Sequence, residues 1–170
     1  MWIGDTNRYA SDVVNRLRSD RPLSAAHKCD LAQYIAASAV LHANDGWGYL
    51  GRSIGSLIVG DAHRALHLAY YAELRAGMAL LASTGVGVFN YDHFIVNGPN
   101  TTVPLTIHQG THKTAWVALE HWSRQPSSGS FFAKLVRPEG RALDDWFQPH
   151  GGSVSLAPQA RNWFLQWGMD

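Results

Sequence analysis

Four residues at helical spacing offer the plainest chemistry in this 170-residue chain: Arg64, His67, Tyr71 and Arg75. On a helix, positions three and four apart share a face. Two guanidinium groups with an imidazole and a phenol between them form a surface suited to a phosphate or a carboxylate. A solvated or partner-facing helix side is the competing reading. Glu73 falls among Ala62, Leu66, Ala69, Tyr70, Gly77, Leu80 and Leu81 on what reads as the apolar face of the same helix. A carboxylate there needs a hydrogen-bonding partner, or it becomes an acid/base group of raised pKa. A third candidate is the helix start at Thr111, where His112 and Lys113 stand beside free backbone N–H groups able to receive an anion.

Metal chemistry finds little support. His108 and His112 have a ligand spacing, but Gly110 interrupts the helix between them and no His-Glu-x-x-His pattern accompanies them. His63 and His67 lack a third ligand nearby in sequence. No metal and no cofactor is therefore expected. A Gly-x-Ser-x-Gly elbow is absent, and Gly85-Val86-Gly87 is too short for a dinucleotide fingerprint.

These side chains need elements to hold them. Asp61 is a good N-cap and Gly85 a good stop, so Asp61 to Ser83 reads as the long central helix. Before it, Arg8 to Arg18 reads as a short helix. Leu23 to Ala43 reads as a second, started at Pro22 and stopped by Asn44-Asp45-Gly46. Trp47 to Val59 is apolar but carries Gly48, Gly51 and Gly55, which suits either close helix packing or a loose stretch. Short β-type runs at 86–89 and 93–96, then 101–107, indicate a small hairpin or meander. Helical turns follow at 111–124, 131–136, 142–147 and 158–167, with a loop over 153–158. The fold expected is mainly α, a helical bundle with a small β-insertion near residues 86–107. It reads as a single domain over 1–170, possibly the N-terminal part of a longer or split protein.

Composition narrows the classes further. Apolar residues make up 46% and charged residues 16%, with seven Trp, so part of the surface is expected to meet a protein partner or a second copy. Net charge is +1 with no basic run, which argues against a non-specific nucleic-acid grip. One cysteine, Cys29, excludes an internal disulfide and fits a reducing cytoplasm. No membrane span is expected, since the apolar runs are broken by Gly, His, Arg or Glu.

The string Ala69-Tyr70-Tyr71-Ala72-Glu73-Leu74-Arg75-Ala76-Gly77-Met78-Ala79-Leu80-Leu81 resembles the second helix of HEPN-domain proteins, over about 25 residues ending at Gly85. The resemblance implies an all-helical bundle that often dimerises. It also implies a prokaryotic toxin or antiviral defence setting, with either metal-independent ribonuclease activity or an inactive binding role. That family's catalytic signature is an Arg followed after four to six residues by His. Here only Arg21 and His27 fit, with Pro22 between them, and the β-insertion departs from a minimal HEPN domain. An active member would use such a pair on the ribose 2′-hydroxyl. The function expected is thus an HEPN-like protein acting on or sensing RNA. The alternative is a non-catalytic interaction or scaffold subunit of a larger complex.

Overall fold

The computed structural model describes residues 6–135 together with Arg137 and Gly140. The turns and loop expected over 142–147, 153–158 and 158–167 lie outside the described residues. The chain divides into two compact units, Met1–Ala115 and Trp116–Asp170. The fold is mainly helical, with a three-stranded antiparallel sheet of order β1-β2-β3.

Helix α1 (Val13–Ser19) begins later than the sequence suggests, because Asp12 caps it by accepting from the Asn15 N–H. Arg8 and Tyr9 belong to the preceding turn. Tyr9 is fully buried in the core with Leu17, Leu31, Ile35, Ala82, Phe89 and Phe94. Arg8 makes a bidentate ion pair with Asp20, whose side chain is only 2% exposed. That pair holds the Asp20 carboxyl down at about 2.

Helix α2 (Ala25–Ile58) starts at the Ser24 N-cap and runs for 34 residues, about 50 Å. It passes straight through Asn44-Asp45-Gly46, so the expected stop is corrected. Gly46 is buried where α2 meets the next helix: a Cβ there would stand 3.4 Å from the Ala72 carbonyl oxygen. Packing at that crossing outweighs the propensity cost of the glycine, roughly 1 kcal/mol. The stretch from Trp47 is helical as well.

Gly60, in the left-handed region at φ +83°, turns the chain into α3 (Ala62–Ser83), capped by Asp61, whose side chain accepts from the Arg64 N–H. The α2–α3 contact is lined with small residues, and Ser53 Oγ donates to the Ala65 carbonyl at 2.7 Å. The buried positions of α3 are Ala65, Ala72, Leu74, Met78, Leu81 and Ala82. This reverses the faces read from sequence. Glu73 is exposed and Leu66 is 70% exposed, whereas Tyr71 and Arg75 are half-buried. Alanines, which carry little hydropathy, make the contact with α2, and the larger apolar side chains misled the reading.

Strands β1 (Val86–Phe89), β2 (Asp92–Gly98) and β3 (Thr101–Pro104) form the expected meander. Asn90 at φ +49° serves the two-residue β1–β2 turn, and Asn100 at φ +56° follows Pro99 in the β2–β3 turn. Gly87 allows β1 to lie against α2: a Cβ at that position would meet Ile35 Cγ1 at 2.7 Å. Helix α4 (Thr111–Ser123) and helix α5 (Pro126–Leu135) complete the described elements. In the second unit, Trp122 packs edge-on against Phe131 at 5.7 Å.

Candidate functional site

A cleft of about 360 Å³ opens within the first unit. Val13, Val14, Leu74, Met78, Val88 and Phe89 give it an apolar lining, and Tyr34, His42, Tyr71, Arg75, Asn90, Thr111 and His112 give it polar edges. Five elements contribute, and the middle of α3 carries the largest share of its chemistry.

Arg75 is held from one side by α2. Its Nη1 donates to His42 Nδ1 at 3.0 Å, and its Nε lies 3.7 Å from Asp45 Oδ2. A guanidinium only donates, so His42 accepts through Nδ1 and carries its proton on Nε2. Burial, reinforced by the Arg75 charge and only partly offset by Asp45, pushes the His42 pKa down to about 4. The imidazole is therefore neutral near pH 7. Burial also raises the Tyr34 hydroxyl, with Arg75 pulling the other way.

Tyr71 is the hub of an aromatic cluster. Tyr49 of α2 stacks on it at 5.4 Å with planes 25° apart, and the Arg52 guanidinium lies 4.5 Å above the Tyr49 ring. His67 meets Tyr71 edge-on at 5.0 Å and His112 does so at 6.0 Å. Tyr70 Oη lies 3.0 Å from His112 Nδ1, tying the start of α4 to α3. Of this cluster, Tyr71 and His112 line the cleft beside Arg75, whereas Tyr49, Arg52, His67 and Tyr70 lie outside its lining. Chemically, the arrangement can stack a planar group and hold an adjoining anion.

The residues singled out from sequence divide clearly. Tyr71, Arg75 and His112 line the cleft together, and His67 is exposed and meets Tyr71 edge-on without lining it. Arg64 is exposed in the first turn of α3 and does not line the cleft, and Lys113 is exposed next to His112 without lining it. Glu73 is exposed on another side of α3, where partial shielding from water raises its carboxyl pKa. Arg21 is ion-paired with Asp92, and neither it nor His27 lines the cleft. His27 sits in the first turn of α2, and its buried Nδ1 has no hydrogen-bond partner among the described residues.

His42, Asp45, Tyr49 and Arg52 were missed. Their spacing of three, four and three is helical, but it shows only once α2 is allowed to continue past Ala43. His93 is a buried structural residue: Nδ1 accepts from the Phe89 N–H at 3.3 Å, and Nε2 lies 2.7 Å from the Gln109 carbonyl. Among the described residues, no three His, Cys, Asp or Glu side chains are grouped to hold a metal ion. No helix there is long and apolar enough to cross a membrane.

No family model matches the chain, and neither a curated protein nor a solved structure matches it.

Proposed function

We propose that this protein binds single-stranded RNA at the Tyr71 cleft, as a sensing or binding component of a prokaryotic defence or toxin system. The observation carrying the reading is Tyr71 lining the cleft beside Arg75 and His112, with Tyr49 stacked on it and His67 edge-on to it. Unpaired bases stack on such faces without strong sequence preference, and the neighbouring donors suit the backbone phosphates. The HEPN resemblance of residues 69–81 favours RNA over other anions and supplies the defence setting. Binding without cleavage is the better-supported form, because Arg21 is engaged by Asp92 away from the cleft.

Fluorescence anisotropy with a labelled single-stranded RNA tests this. Tyr71→Ala should weaken binding by about 1–3 kcal/mol, the usual value of a base-stacking aromatic. Arg75→Ala should weaken it and reduce its salt dependence by about one phosphate contact. Single-stranded DNA and duplex RNA serve as comparators, and intact RNA after incubation separates binding from cleavage. Loss of RNA integrity that disappears in Arg21→Ala and His27→Ala would replace the binding reading with a ribonuclease one. A second reading, a non-catalytic interaction subunit, is favoured by the apolar outer face of α2.

A further inference from the structure

The second half of α2 has two neighbouring faces, about 100° apart on an ideal helix. One side, with Gly46, Ser53 and Ser56, packs inward. The other carries Val40, Trp47, Leu50, Ile54, Leu57 and Ile58, which are between 37% and 79% exposed. With Ala43, the positions 40, 43, 47, 50, 54 and 57 follow the alternating three-and-four spacing of a helix-pairing seam. A contiguous apolar stripe left exposed in this way marks an interaction surface. From residue 40 to residue 59 the only charged side chains are Asp45 and Arg52. Both lie away from the seam, one beside Arg75 and the other over Tyr49.

We infer that this face is the contact between two copies of the chain, paired antiparallel through residues 40–58 of α2. The area fits. At ~150–250 Å² for a large side chain, the six exposed residues present on the order of 700 Å². A standard stable interface takes about 800 Å² from each partner. The shape fits too. A two-fold axis near Tyr49 sets Val40 against the partner's Ile58 and seats Trp47 over the partner's Gly51. Among the described residues, and apart from the adjoining backbone of α2 itself, nothing lies within 4 Å of a would-be Cβ at Gly48, Gly51 or Gly55. Three exposed glycines weaken an isolated helix, and here they open a flank for close approach by another. Tyr49 and Arg52 lie on the other side of α2, so the pair leaves both Tyr71 clefts open. The inference stands independently of the RNA reading.

Light scattering after size exclusion, at tens of micromolar protein, tests it on the full chain. The expected mass is twice the 18.7 kDa of one chain. Trp47→Glu should give a monomer that keeps its helical circular dichroism. Gly51→Leu should raise the dimer dissociation constant at least tenfold, because it fills the seat of Trp47. That second variant also keeps the test decisive if Trp47→Glu misfolds. A wild-type monomer would overturn the inference, including one whose seam is covered by residues 141–170 of its own chain. So would a dimer indifferent to both substitutions, which would place the contact elsewhere.

Discussion

Acidification should destabilise the fold through His42. In the folded chain its pKa falls from 6.5 to about 4, chiefly because burial penalises the charged ring, with Arg75 adding to the effect. A depressed folded pKa means that the native state resists the proton the unfolded chain accepts. The associated stability is fully present above pH 6.5 and is lost as pH falls from there towards 4. At about 1.4 kcal/mol per pH unit, this interval sets a ceiling of about 3.4 kcal/mol. His42 is only half-buried, and screening by solvent brings the expectation to about 1–2 kcal/mol. The comparison is with His42→Gln, whose amide oxygen can still accept from Arg75 but does not titrate. Urea denaturation followed by circular dichroism at pH 7.5, 6, 5 and 4 gives the two stability profiles, and the other eight histidines contribute equally to both. The wild type should lose about 1–2 kcal/mol more than the variant across the window. Parallel profiles would refute both the burial argument and the assignment of Nδ1 as acceptor from Arg75.

Two further outcomes follow from the core around this site. Gly87→Ala should destabilise the fold by about 1–3 kcal/mol in the same denaturation assay, since the added methyl would press on Ile35 and on the Phe89 ring at 2.6–2.8 Å. Asp20→Asn should cost about 1.5–3 kcal/mol by breaking the bidentate pair with Arg8. The wild type should shed that contribution as pH falls from about 4 towards 2, because the Asp20 carboxyl is held below its ordinary 3.8.

The central helix, the meander and the start of α4 were legible because each carries a local signal: Asp61 and Gly85, the short β-type runs at 86–89 and 93–96, and Thr111 after Gly110. The length of α2 was not legible. Asn44-Asp45-Gly46 has the composition of a helix stop, and only the tertiary contact of Gly46 with Ala72 overrides it. That error hid the α2 half of the site, since His42 and Tyr49 acquire a common face only in a continuous helix. The faces of α3 were inverted for a related reason. Large apolar side chains such as Leu66 suggested a buried stripe, whereas the actual contact uses Ala65 and Ala72, whose small size lets two helices approach closely. Tyr71 and Arg75 were still singled out, because aromatic and cationic residues at helical spacing stand out whichever way the helix is turned.

Ultraviolet crosslinking of single-stranded RNA to the full-length protein, with the crosslinked peptides mapped by mass spectrometry, tests the RNA reading most directly. The account predicts crosslinks concentrated at Tyr49, Tyr70–Tyr71 and His112, and their loss in Arg75→Ala. Crosslinks confined to other surfaces, or none under conditions where a known RNA-binding protein reacts, would contradict it.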